Sequence, residues 1–256
     1  MGLENITICK VPGKGPEDVL PLPDGKFLTG LDDGRIILIG EDFSSWSELL
    51  NTGGRPLGLE ICSSGGLIIC DAEKGLLRFS FTTKKIENLS EHSGFNLPFC
   101  NNCAVSNSGA IFFSSSTSRF KIGDSSKDVS EGIPSGVLCK WSPSRGIEKL
   151  MDGLYFANGV VLSPDEKFVL VAETGRARIS RYWLAGELKG TSDVFCENLP
   201  GLPDNINLGT DHLIWVAMVV STSSTIKKVW AAPYYLRWLY ARAPQSVKGR
   251  QEKIIR

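Results

Sequence analysis

Leu199-Pro200-Gly201-Leu202-Pro203-Asp204-Asn205-Ile206-Asn207 places an acid and an amide side by side, just after a proline, at the head of a short apolar run. Ile206 and Leu208, then Leu213-Ile214-Trp215-Val216, read as two strands joined by a polar turn at Gly209-Thr210-Asp211. Working outward, the slot held by Asp204 recurs. Glu17 stands seven residues before Asp24, Gly58 seven before Gly65, and Asn101 seven before Ser108; Asn158 precedes Asp165, and Asp204 precedes Asp211, by the same spacing. From Glu17 to Gly58 is 41 residues, to Asn101 a further 43, to Asn158 a further 57, and to Asp204 a further 46. Blades of a β-propeller repeat at roughly 40–50 residues, and the long third interval contains a Ser-rich insert over 114–135. The register therefore predicts an all-β chain of β-propeller type with about five blade repeats present. One domain spans 1–256, with blade starts near 17, 58, 101, 158 and 204.

Equivalent positions in a propeller lie on a ring around the central channel. Glu17, Asn101, Asn158 and Asp204 are then expected to converge on one axis. Two carboxylates and two amide oxygens, with no thiolate or imidazole, form a hard-oxygen set that suits Ca2+.

Lys plus Arg (28) equals Asp plus Glu (28), so no net field draws the chain to nucleic acid. No apolar run reaches the roughly 20 residues of a transmembrane helix. The start Met1-Gly2-Leu3-Glu4-Asn5 lacks a secretory pattern, so the expected location is cytoplasmic as written, or endomembrane or secreted if an N-terminal extension is missing. Seven cysteines cannot all pair with one another. Cys100-Asn101-Asn102-Cys103 has CxxC spacing but no second such pair. On strand parity its two thiols are expected on opposite faces, as core packing rather than a metal or redox site.

Blade one reads as short strands broken by Pro23-Asp24-Gly25 and Asp32-Asp33-Gly34. The all-apolar Leu67-Ile68-Ile69-Cys70 reads as a strand covered on both faces. The insert 114–135 is polar and without strand period, which fits a solvated loop; as a long loop it could also lie over the channel mouth. After Val220 the pattern changes. Pro233 to Arg242 reads as a short helix with an aromatic side, followed by a basic end at Lys248–Arg256, so that 233–256 is a helical and basic C-terminal segment. It either packs on its own domain or lies on a membrane surface.

Gly54-Arg55-Pro56-Leu57-Gly58-Leu59, Asp71-Ala72-Glu73-Lys74-Gly75-Leu76, Asp152 through Val160, Ala172-Glu173-Thr174, Arg181-Tyr182-Trp183 and Leu202-Pro203-Asp204-Asn205-Ile206 together resemble strictosidine synthase-like proteins. The similarity runs from about Gly15 to Met218. The wider group, with paraoxonases, gluconolactonases and regucalcin, implies a six-bladed propeller with calcium in the channel. By motif its ligands fall on Glu17, Asn101, Asn158 and Asp204, with Asn205 as an added candidate. Asn102 stands where this group often has an aspartate. By the same resemblance the chain is C-terminally short, and the catalytic glutamate of strictosidine synthase falls in a later region.

Three functional expectations follow. One is a calcium-dependent hydrolase of small lactones or esters, with Glu17, Asp204 and His92 as weak catalytic candidates. Paraoxonase-like esterases use a histidine near the metal; His212 lies eight residues beyond Asp204, more than about 20 Å along a strand, so His92 is the one within reach. A non-catalytic or truncated binding scaffold is the second, and amine–aldehyde condensation of the strictosidine synthase type the third. A ring short of one blade exposes β edges, which a partner or a second copy could close.

Overall fold

The computed structural model describes residues 8–62, 65–91, 94–95 and 97–244. Five antiparallel sheets follow one another along the chain, each with its strands in sequence order. The first comprises β1 (Val19–Pro21), β2 (Phe27–Gly30), β3 (Arg35–Ile39) and β4 (Trp46–Asn51). The second comprises β5 (Pro56–Ile61), β6 (Gly66–Asp71), β7 (Gly75–Ser80) and β8 (Ile86–Asn88). β9 (Cys100–Val105), β10 (Ile111–Ser115), β11 (Gly136–Ser142) and β12 (Gly146–Leu154) make the third. The fourth holds β13 (Ala157–Leu162), β14 (Phe168–Glu173), β15 (Arg178–Trp183) and β16 (Ser192–Cys196). The fifth holds β17 (Gly201–Leu208) and β18 (Ile214–Ser221). This is the repeating meander of a propeller, in which each sheet is one blade.

The core lies in the seams between blades. Leu28 and Ile36 meet Leu67 and Ile69 between the first and second, and Ile68 and Cys70 meet Ile111 and Phe113 between the second and third. Phe112 and Leu138 meet Val169 and Val171 at the next seam, and Leu170 and Ile179 meet Ile206 at the last. Middle strands are sandwiched by a blade on each side, which is why all of β6 is buried.

Hairpin closure fixes the register of the repeat. Leu22, Cys62, Ser106, Ser163 and Gly209 donate their N–H to the carbonyls of Lys26, Gly66, Ala110, Phe168 and Leu213, closing the first turn of each blade. Five residues before each closure stand Glu17, Leu57, Asn101, Asn158 and Asp204. Blade two's slot is therefore Leu57 and not Gly58, because the turn closed by Cys62 places Gly65 level with Gly25 rather than with Asp24.

Pairing slips by one residue on each of four inner strands, between Pro56 and Leu59, Cys100 and Cys103, Ala157 and Val160, and Pro203 and Ile206. Each slip is a β-bulge across the slot, a device that re-aims side chains. It also corrects the parity of Cys100 and Cys103. With the extra residue between them, both thiols face one seam, where Cys70 and Cys139 join them as packing groups.

The insert is folded rather than a bare solvated loop. Its first residues complete β10, and Ile122–Asp124 form a 3₁₀ turn leading into α1 (Ser125–Glu131). Two helices follow the last strand: α2 (Ser224–Ala231), capped by Ser223 Oγ accepting from the Ile226 N–H at 3.2 Å, and α3 (Tyr234–Arg242), which starts after Pro233. They pack against α1. The carboxylate of Glu131, wholly buried, accepts from Arg119 at 2.7 Å and from Arg242 at 2.5 Å, joining α1 to α3. Trp230 Nε1 donates to the Val129 carbonyl at 3.4 Å, joining α2 to α1. The basic end, residues 245–256, lies outside the described residues.

Candidate metal centre and its apolar cavity

All five slot residues line one cavity of about 320 Å³. Its floor is polar: Glu17, Asn101, Asn158 and Asp204, with Leu57 completing the ring. Its walls are apolar, from Phe99, Phe156 and Leu202 below to Val129 of α1 and Ile226 and Trp230 of α2 above. The helices thus roof the channel mouth.

Glu17 Oε2, Asn101 Oδ1 and Asn158 Oδ1 are buried and have no hydrogen-bond partner. Buried oxygens are rarely left orphaned, and three belonging to slot residues of one cavity call for a shared partner. The amide orientations are not free. Asn101 Nδ2 donates to Ser116 Oγ at 2.9 Å, and that hydroxyl donates to the Ala157 carbonyl at 2.8 Å. Asn158 Nδ2 donates to Thr174 Oγ1 at 3.2 Å and to Asp204 Oδ1, while the Thr174 hydroxyl donates to the Pro203 carbonyl at 2.6 Å. With each NH₂ tied to a hydroxyl, each oxygen is the atom left over. Ser116 and Thr174 each directly follow the second strand of their blade. The matching residue of blade two is Ala72, and there the slot is apolar.

A second tier supports the first. Asp18 Oδ2 accepts from the Leu59 N–H at 3.0 Å, and Asn102 Oδ1 accepts from the Val160 N–H at 3.0 Å, each bridging to the next blade. Asn102 Nδ2 donates to Asn205 Oδ1 at 3.2 Å, and the Asn205 side chain in turn hydrogen-bonds Glu17. The blades between carry glycine at this tier. A Cβ on Gly159 would lie 2.4 Å from Ile206 N and 2.8 Å from Asn205 Cα, so only glycine lets the fifth inner strand come this close.

Burial, then the charges of Asp204 and Asp18, push the Glu17 carboxyl up to about 8, against the lowering effects of the Asn205 hydrogen bond and Arg55. Asp204 is also raised, mainly by burial, with the Asn158 hydrogen bond opposing. Two buried acids that resist joint ionisation fit a site completed by a cation, which would relieve both causes. Among the described residues no cluster of three or more His, Cys, Asp or Glu exists to hold a metal. The donors here are mixed carboxylate and amide oxygens, a hard set that fits Ca2+ better than zinc or copper.

The structure brings together Glu17, Asn101, Asn158 and Asp204. Asn205 lies one tier away, its oxygen accepting from Asn102, and holds Glu17. His212 sits in the turn at the far end of β17 from Asp204, and His92 lies outside the described residues. Ser116, Thr174 and the roof helix α2 escaped sequence reasoning. The signal for the two hydroxyls was a Ser or Thr after the second strand of each Asn-bearing blade.

Residues 101–187 match the family model described as Strictosidine synthase, and residues 2–39 match that described as Strictosidine synthase-like, N-terminal. Strictosidine synthase-like protein 6 of Arabidopsis thaliana is 36% identical over 237 residues, covering 89% of this chain and 62% of its own length. The adipocyte plasma membrane-associated protein of Gallus gallus is 38% identical over 223 residues, covering 80% of this chain and 54% of its own. The chain thus spans less than two thirds of either relative. Among solved structures, a gluconolactonase from Xanthomonas campestris aligns with a TM-score of 0.66 at 18% identity, over 81% of this chain and 71% of that one. A calcium-binding regucalcin from Agrobacterium tumefaciens aligns at 0.64 and 16%, over 82% and 69%. At such identities these two establish the propeller fold.

Proposed function

We propose that this chain, which belongs to the strictosidine synthase-like family, is a calcium-binding propeller that hydrolyses apolar lactones or esters. The carrying observation is the set of orphaned oxygens on Glu17, Asn101 and Asn158, beside the Asp204 carboxylate, at the polar floor of an apolar cavity. These four residues would hold the ion. Calcium so held supplies a Lewis acid for a substrate carbonyl oxygen. The solved neighbours titled gluconolactonase and calcium-binding regucalcin favour the same reading.

The chain's own residues supply the rest. Ser116 and Thr174 fix the two amides, and Asn205 orients Glu17. Phe99, Phe156 and the roof exclude water around the substrate's apolar part. Glu17 and Asp204 are the carboxylates within the cavity, and one of them takes the proton of the attacking water. The water oxygen bonds to the carbonyl carbon, the ester C–O bond breaks, and the proton passes to the leaving alcohol oxygen. A second reading, binding without turnover, draws on the fact that both candidate bases belong to the ligand set, where carboxylates are poor proton acceptors.

A thermal melt with calcium and with chelator tests the site. At a hundredfold excess over Kd, a ligand of the folded state adds about 2.7 kcal/mol, which for this size raises the midpoint by roughly 5–10 °C. Asp204→Asn and Asn158→Ala are expected to abolish the shift. An unchanged midpoint in the parent chain would sink the calcium site. Chelator-sensitive turnover of aryl esters or lactones then separates hydrolase from scaffold.

A further inference from the structure

The roof carries apolar surface on both sides. Its inner side, Ile226 and Trp230 of α2, faces the cavity. α3 adds Tyr240 to the cavity lining and exposes the rest of its apolar residues: Tyr235 is 64% exposed, Leu239 56%, Leu236 44%, Tyr234 44% and Trp238 40%. A helix apolar on more than one face is stable only when a second surface covers it. Tyr235, Trp238 and Leu239 lie at helical spacing, so they form one patch rather than scattered exposures.

Charge tells what covers it. The chain as a whole is neutral, yet no Asp or Glu occurs from Leu213 to Gln251, while six Lys and Arg do. Arg242 is neutralised by Glu131, and Arg237 donates to the Gly132 carbonyl at 3.1 Å. Lys227 and Lys228 of α2 are exposed and make no ion pair among those described. Exposed Trp and Tyr on α3, with exposed lysines on the adjoining α2, match the interfacial zone of a bilayer, where aromatic rings sit at headgroup depth. Among the described residues no helix is long and apolar enough to cross a membrane.

We propose that the roof helices α2 and α3 form a peripheral docking surface for an anionic membrane, with Tyr235, Trp238 and Leu239 entering the interface and Lys227 and Lys228 facing lipid phosphates. The same helices roof the candidate calcium site, but the docking proposal does not rest on calcium binding. The test is therefore run in chelator, which also removes calcium bridges to lipid.

The purified full chain is floated with vesicles of phosphatidylcholine alone and with about one third phosphatidylserine. Binding to the anionic vesicles is expected, weakening as salt screens the lysines. Lys227→Glu with Lys228→Glu, and separately Trp238→Ser with Leu239→Ser, should each lower the partition by about tenfold or more. Lys227 and Lys228 are exposed, and Tyr235 and Leu239 are the most exposed apolar residues of α3, so changes there should leave the melt unmoved. Trp238 also lies 4.1 Å under the Arg242 guanidinium, so a lowered melt in its variant is answered by Tyr235→Ser with Leu239→Ser. One in the lysine variant is answered by Lys227→Gln with Lys228→Gln, and both pairs are still expected to lose binding. No binding to anionic vesicles, or equal binding by parent and variants, overturns the proposal. So does a vesicle-free, concentration-dependent oligomer that Trp238→Ser with Leu239→Ser dissolves, which would assign the patch to a second copy.

Discussion

Glu17 is proposed both as a calcium ligand and as a base, and its surroundings make the proposal testable. Its carboxyl is pushed up to about 8 by burial and then by neighbouring charge, and Glu60 is pushed up to about 7, chiefly by burial. Unfolded, both ionise near about 4.3. Between roughly pH 4.5 and 8 the folded state therefore binds more protons than the unfolded one, and stability falls as pH rises through that window. In chelator the chain should melt higher at about pH 6 than at about pH 8.5. Saturating calcium should remove or reverse this trend, because a ligating Glu17 must be ionised. A chelated melt that climbs with pH would refute the assignment. Thr174 supplies a second test. Thr174→Val keeps the shape but removes the hydroxyl that holds Asn158 and satisfies the Pro203 carbonyl. About 1–3 kcal/mol of stability should be lost, and calcium affinity should drop roughly 10–100-fold as the amide loses one of its two acceptors and keeps only Asp204. Titrating the melt midpoint with calcium reads both. The slot residues were legible in the sequence because their types recur at fixed spacing. Ser116 was hidden inside a run of serines whose composition reads simply as polar loop.

At the level of elements, the bulge on each inner strand is what turns a repeat into a site. A regular strand would alternate Asn101 and Asn102, or Asp204 and Asn205, strictly across the sheet. The inserted residue re-aims these side chains: Asn101 and Asp204 line the cavity, Asn102 bridges to the fourth blade, and Asn205 meets Asn102 and Glu17 across the ring. Nothing in residue type announces a bulge, which is why strand parity misplaced Cys100 relative to Cys103. The bridging tier depends on glycine where inner strands crowd. Gly159→Ala would set a Cβ against the backbone of Ile206 and Asn205, which cannot rotate away. Overpacking of this kind costs about 1–3 kcal/mol, so denaturant midpoints should fall, and calcium binding should weaken with them as Asp204 is displaced. Gly186→Ala is a poor control because its φ is +80°, whereas Gly123→Ala meets open space and should be neutral. Equal midpoints for the parent and Gly159→Ala would show that the fifth inner strand can move aside.

Across the whole molecule, the candidate ligands come from four separate blades, so a bound ion would tie the ring together across its seams. Binding is then linked to global stability, which makes a melt an informative readout for a local site. The sequence by itself determined the class of fold, since hairpin turns at blade spacing and apolar middle strands are local properties of the chain. It also determined which residues occupy equivalent places on the ring, apart from the one-residue slip at Gly58 and Leu57. Only the tertiary structure decided which atoms of those residues are unpartnered, which hydroxyls hold them, and that α1, α2 and α3 line the cavity above them. Those facts depend on contacts between segments up to about a hundred residues apart, such as Asn102 with Asn205 and Glu131 with Arg242. Periodicity reports the neighbours of a residue along its own strand; what a side chain meets across a channel is set by packing.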